Sequence, residues 1–102
     1  MADHDGEPII GPIRRTLPDG TVMSVSAVRA SDYPAGVKYS FQHFDPETGA
    51  TLLRYDNAHD DPKLGPHHRH GSDLDPDDPD REIEFENVYD HLRTFLDEVT
   101  SP

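Results

Sequence analysis

Over much of the first half of the chain, hydrophobic and polar positions alternate with a period of two. In Thr21–Ala30 (TVMSVSAVRA), Met23, Val25 and Ala27 alternate with Ser24 and Ser26. In Val37–Phe44 (VKYSFQHF), Val37, Tyr39, Phe41 and His43 alternate with Lys38, Ser40 and Gln42. That period puts each set on its own face of a strand. Ile13–Leu17 is a shorter β-favouring run, closed by the turn sequence Pro18-Asp19-Gly20. SDYPAG (31–36) and DPETG (45–49) separate the following strands, and Ala50–Asp56 (ATLLRYD) reads as a fourth. Short turns between successive strands predict an antiparallel meander.

The period changes near the C-terminus. Val88, Leu92, Phe95, Leu96 and Val99 fall at i, i+4, i+7, i+8 and i+11, an apolar stripe on one face of a helix. Asn87 is a suitable N-cap, with Asp90 three residues later as a short-armed capping box, and the helix should end near Thr100. Glu82–Phe85 is a short strand or the lead-in to that helix. The expected class is therefore α+β: an antiparallel meander of about four strands, packed by one C-terminal α-helix. Residues 1–11 are polar and irregular and read as a flexible N-terminus, and residues 12–102 as a single domain. Residues 57–81 carry little period, which in a compact domain marks a functional loop or disorder. The first part of that stretch is His-rich, and the second (SDLDPDDPD, Ser72–Asp80) is acidic and reads as a solvated excursion.

Composition narrows the picture. At 102 residues with 32% hydrophobic content and a mean hydropathy of -0.81, the chain supports one small core. The formal charge is -12, with 15 Asp to 6 Glu and 7 Arg to 2 Lys. Such a surface repels itself at low ionic strength. At about 1 M salt the Debye length falls to about 3 Å and the repulsion is largely screened. Many short, strongly hydrated Asp side chains and few Lys fit a high-salt cytoplasm, as in a haloarchaeon. Net charge then describes the solvent and leaves the ligand open. There is no Cys, which removes disulfides and thiolate metal sites. No apolar run is long enough for a membrane span, and the N-terminus lacks a signal-peptide pattern, so a cytoplasmic location is expected.

The candidate chemistry lies in RYDNAHDDPKLGPHHRHG (54–71), which holds four of the seven histidines: His59, His67, His68 and His70. If the segment is extended, His68 and His70 point the same way and could share an ion. However, no H-E-x-x-H motif accompanies them, so neither a metal nor another cofactor is assigned. The same imidazoles suit acid–base work at neutral pH. Cleavage of RNA by its own 2′-hydroxyl needs a base, an acid and a cation, and no metal. On this reading His67, His68, His70 and Asp56 are catalytic, with Asp56 orienting an imidazole. Arg54, Tyr55, Asn57 and Arg69 bind substrate, with Arg54 on phosphate. At the end of a strand Arg54 and Asp56 share one face and Tyr55 takes the other. Arg14, Arg15, Lys38 and Arg54 would form a basic strip if the strand registers allow it. The bland alternative is a set of solvated loop histidines beside an Arg–Asp surface pair. His91, at the edge of the helical stripe, reads as a core-margin residue.

Taken in order, Leu17-Pro18-Asp19-Gly20, VKYSFQHF, LLRYDNAH and PHHRH, followed by an amphipathic helix, resemble the small TumE-like family. The matching positions are Arg54, Tyr55, Asp56, Asn57, Pro66, His67, His68 and His70, and the resemblance runs from about Ile13 to Val99. It implies the toxin component of a two-gene toxin–antitoxin system, neutralised by a cognate antitoxin that is often a helix-turn-helix protein. RNA as the target is an inference from the His/Arg set. The rival reading is a non-enzymatic regulatory protein that binds a partner through its sheet edge or polar face, with the histidines structural or at the interface. A sheet covered by one helix also leaves a face open, which a homodimer or a partner would bury.

Overall fold

The computed structural model describes residues 6–57, 67–78 and 80–100. Among the described residues there are six strands in chain order: β1 (Pro8–Thr16), β2 (Val22–Arg29), β3 (Val37–Phe44), β4 (Thr51–Asp56), β5 (His68–His70) and β6 (Arg81–Glu82). They form one sheet in the order β1-β2-β3-β4-β5-β6, each antiparallel to the next. Among the described residues one α-helix, α1 (Val88–Thr100), follows the sheet. The α+β class, the meander and the C-terminal helix match the expectation, and the strand count of about four is corrected to six. The two extra strands, β5 and β6, have three and two residues. Neither is long enough to show a period, and each becomes a strand through the neighbour it pairs with.

β1 begins at Pro8, well before the expected Ile13 and inside the stretch read as a flexible terminus. Its pairing with β2 shifts register between Pro8 and Ile10 and again between Ile10 and Ile13. Such bulges interrupt the alternation that sequence reading relies on. Residues 1–5 of that terminus, with His59 and Pro66 of the His-rich loop, lie outside the described residues.

Alternation sorts the sheet into two faces. Val25, Ala27, Val37, Tyr39, Phe41, Leu53 and Tyr55 are buried on one of them. On that face α1 brings Val88, His91 and Phe95, with Leu92, Leu96 and Val99 partly buried around them. Phe95 meets Phe41 and Tyr55 at ring centroid distances of 5.7 and 5.2 Å, spacings at which aromatic pairs attract. The helix starts where predicted: Asn87 Oδ1 accepts the Asp90 N–H at 2.9 Å, and Asn87 Nδ2 donates to the Asp90 carboxylate at 2.9 Å. These bonds satisfy one of the open donors of the first turn. The opposite, helix-free face carries Ser24, Ser26, Lys38, Ser40, Gln42, Arg54, Asp56, His68 and His70. Among the described residues, no helix is long and apolar enough to cross a membrane.

Candidate functional site: a His–Asp–Arg cluster on the helix-free face

β4 and β5 pair with Arg54 opposite His70, Tyr55 opposite Arg69 and Asp56 opposite His68. Because alternate residues share a face, the register collects Arg54, Asp56, His68 and His70 on the helix-free side. It sends Tyr55 and Arg69 to the helix side. On β3, Ser40 lies opposite Asp56 and Gln42 opposite Arg54, so the cluster borders a strip of neutral polar side chains.

Asp56 is the centre of the group and only 1% exposed. His68 Nδ1 lies 3.9 Å from one of its carboxylate oxygens, and His70 Nε2 lies 3.8 Å from the other. Arg54 Nε approaches that second oxygen to 2.5 Å. The contact is close but poorly aligned: neither the Arg54 Nε nor either Asp56 oxygen makes a hydrogen bond of ordinary geometry. His70 is anchored from behind, its Nδ1 2.9 Å from the Asp80 carboxylate. His68 is buried while His70 is part-exposed, so His70 and Arg54 are the members that solvent reaches. Among the described residues, Asp56, His68 and His70 form the one group of three whose ligand-capable atoms lie within 4.8 Å of one another.

The remaining candidates have other surroundings. His67 is separated from His68 and His70 by the alternation and lies on the helix side. Its Nδ1 is 2.9 Å from the Tyr39 hydroxyl, and its ring stacks on Phe85 at 4.3 Å with the planes 4° apart. Burial lowers its pKa, reinforced by the charge of His68 and opposed by Glu82. Arg69 is a strut: it donates to both oxygens of Glu98 on α1 and, at 2.7 Å, to Asp78 in the acidic loop. Tyr55 donates its hydroxyl to Glu98. Burial tends to raise the Glu98 pKa, but the bonds from Arg69 and Tyr55 outweigh it and hold the carboxyl below its ordinary value. Asn57 is buried and accepts the Tyr39 N–H while donating to the Val37 carbonyl. The polar atoms of Tyr55, Asn57 and Arg69 are thus engaged within the fold, away from the open face.

His91, expected at the core margin, is 5% exposed and surrounded by Tyr39, Phe41, Tyr55 and Phe85. Burial, assisted by His67, pushes its pKa down to about 4. It lines an open cleft of about 630 Å³ whose other walls include Glu84, Glu86, Asp90 and Arg93. That mixed, mainly acidic rim lies on the helix side and is a poor receptor for an anion. Sequence reading missed Asp80, which sits ten residues beyond His70 in a stretch that resembles a solvated acidic loop. It also missed Ser40 and Gln42, which only the β3–β4 register brings beside the cluster.

A comparison with protein-family models matches residues 4–102 to the family described as Toxin TumE. No curated protein and no solved structure matches the chain. The family match spans the meander, the Arg54–Asn57 strand end, the histidine strand and the terminal helix, and the chain belongs to the TumE toxin family.

Proposed function

We propose that this toxin acts on RNA across the helix-free face of its sheet, in a high-salt cytoplasm, with the Arg54–Asp56–His68–His70 cluster as the reactive end. Family membership implies an antitoxin as its partner. The observation that carries the RNA reading is the segregation of charge. In a chain of formal charge -12, the strands β1, β2 and β3 contain Arg14, Arg15, Arg29 and Lys38 and no Asp or Glu. Arg14 pairs with Ser24 and reaches over the Phe44 ring at 5.4 Å, so it shares a face with Lys38 and Arg54. Arg15 pairs with Met23 and takes the other side. Arg14, Lys38 and Arg54 therefore frame Ser24, Ser26, Ser40 and Gln42, a cationic and hydrogen-bonding surface on an otherwise acidic protein. Phosphates bind such surfaces by releasing counterions, and hydroxyls and amides add neutral contacts.

On this reading Arg54 keeps its Nε against Asp56 and offers the rest of its part-exposed side chain, the outer guanidinium nitrogens, to a phosphate. His70, the part-exposed imidazole, takes the proton of the ribose 2′-hydroxyl as that oxygen bonds to phosphorus, then gives it to the 5′-oxygen as the P–O bond to it breaks. Asp56 and His68 act behind it as positioning residues, while Asp80 fixes the ring from the far side. The test is cleavage of labelled RNA in concentrated KCl by the purified protein, alongside growth arrest on expression. His70→Ala and Arg54→Gln should each lose about 100-fold or more in cleavage rate and should relieve growth arrest. The paired variant Arg14→Gln/Lys38→Gln should bind RNA more weakly, with a salt dependence shallower by about two phosphate contacts. Growth arrest that survives His70→Ala with no detectable RNA cleavage would end the reading and favour a toxin that works by binding a partner.

A further inference from the structure

We infer that Asp56, His68 and His70 form a binding site for one divalent transition-metal ion of the zinc class. The three residues come from paired strands, with His68 directly across from Asp56 and His70 one alternate position along. Their candidate ligand atoms lie within 4.8 Å of one another, and the two His-to-Asp distances are 3.9 and 3.8 Å. Bonds of about 2.0–2.1 Å at tetrahedral angles place ligand atoms about 3.3 Å apart. The group therefore needs only a modest contraction around an ion, within reach of side-chain torsions on a fixed sheet.

Two further observations point to a cation. Asp56 is almost fully buried, yet neither of its oxygens has an aligned hydrogen bond. A buried carboxylate without such bonds is costly unless a positive charge compensates it. Arg54 supplies part of that charge through a close, misaligned contact, and its side chain is 38% exposed. The second observation is Asp80. Its carboxylate lies 2.9 Å from His70 Nδ1, which fixes a proton on that nitrogen and turns Nε2 toward Asp56. In that tautomer Nε2 turns its lone pair toward the Asp56 carboxylate 3.8 Å away, where an ion between them would meet both. A carboxylate holding the outer nitrogen of a ligating histidine is also the usual support of a metal-bound imidazole.

The donor set selects the ion. Two imidazole nitrogens and one carboxylate suit zinc, cobalt or a neighbouring divalent ion, whereas magnesium and calcium require oxygen ligands. Three protein ligands leave at least one coordination position open. Arg54, displaced from Asp56 by the ion, would stand beside that position as an anion ligand. The inference shares the site of the RNA reading but competes with it for His70: an imidazole that holds an ion on Nε2 and Asp80 on Nδ1 moves no proton. Proton transfer therefore belongs to the ion-free protein, and each reading can fail alone.

The experiment is calorimetric titration of chelator-stripped, tag-free protein with zinc chloride, repeated with cobalt chloride and read by visible absorbance. The expected result is one ion per chain, with no response to magnesium. His70→Ala, chosen because its side chain is part-exposed, should lose at least about 100-fold in affinity with unchanged circular dichroism. Asp80→Asn, which touches no ligand atom of the ion, should weaken binding by about 10- to 100-fold. Absence of zinc binding, or equal affinity in wild type and His70→Ala, would overturn the site. RNA cleavage followed on the stripped and loaded samples separates the two readings. Binding without any cleavage leaves the metal site standing and removes the RNA reading, whereas cleavage by a protein that takes up no ion does the reverse.

Discussion

The side chain of Asn57 continues the β3–β4 ladder where the backbone leaves it. Its Oδ1 accepts the Tyr39 N–H at 3.1 Å, and its Nδ2 donates to the Val37 carbonyl at 2.7 Å. An amide side chain thus mimics a peptide group at the end of β4, two residues beyond the buried Tyr55. Both bonds are buried, and both backbone groups lack solvent. Replacing Asn57 by Ala should cost about 2 to 4 kcal/mol in urea unfolding, since two buried groups lose their partner. Asn57→Asp keeps the acceptor, loses the donor and buries a charge, so it should be no better. A variant as stable as wild type would show that the loop end supplies these bonds in another way.

Arg69 joins three segments that sequence proximity does not: β5, the acidic loop through Asp78, and α1 through Glu98. It is 6% exposed, and its removal would leave two carboxylates without their cation. Glu98 and Asp78 keep some access to water, so the cost falls short of a fully buried pair. Arg69→Ala should destabilise by about 2 to 4 kcal/mol in the same unfolding assay. Arg69→Lys should recover little, because one ammonium cannot make the forked contacts to two carboxylates. Full recovery by Lys would reduce the strut to simple charge balance.

Much of this architecture could be read from residue order. Alternation in VMSVSAVR and VKYSFQHF, and the stripe from Val88 to Val99, gave the central strands and the helix with their buried faces. The same parity rule placed Arg54 and Asp56 together and Tyr55 opposite them. Applied to His68 and His70 it gave the pair, and applied one residue earlier it would have removed His67 from the site. What stayed hidden depends on long-range pairing. β5 and β6 exist because β4 offers an edge, and Asp80 reaches His70 only after the intervening loop closes. The role of Arg69 was hidden for a related reason: a lone Arg between two histidines reads as a phosphate ligand until the register turns it toward a helix carboxylate.

His91 makes acid sensitivity a property of the core. Its pKa is lowered to about 4 by burial, while an unfolded imidazole titrates near 6.5. The folded protein therefore holds the ring neutral where the unfolded chain would protonate it. The contribution to stability is complete above pH of about 6.5 and is lost progressively as pH falls toward about 4. Over that window the loss amounts to about 3 kcal/mol. Of the other titratable groups around the ring, Tyr39 and Tyr55 are neutral throughout, and charging of His67 adds to the penalty. The carboxylates held by Arg69 titrate lower, so their loss follows at more acid pH. His91→Leu should flatten the pH dependence of unfolding between these limits, whatever it does to absolute stability. An unchanged slope would place the proton uptake elsewhere.

Adjacent in sequence, His67 and His68 stand on opposite sides of the sheet, and the difference between His67 and His70 separates architecture from site. His67 stacks on Phe85, meets the Tyr39 hydroxyl and accepts the Ile83 N–H on its carbonyl at 3.1 Å. Truncating it removes an aromatic pair and leaves a buried hydroxyl short of a partner, a cost of about 1 to 3 kcal/mol. His70 bonds to the exposed Asp80 and lies 3.8 Å from Asp56, and with its own ring part-exposed its truncation should change stability by no more than about 1 kcal/mol. The two variants should therefore dissociate. At a temperature where both are folded, His67→Ala should unfold at lower urea yet still arrest growth and retain any RNA activity. His70→Ala should keep the wild-type midpoint and lose both. His67→Phe preserves the stack without the ring nitrogens, and recovery of most of the lost stability by it would assign His67 to packing. Loss of growth arrest in His67→Phe at full stability would instead bring the helix side of the sheet into the functional surface.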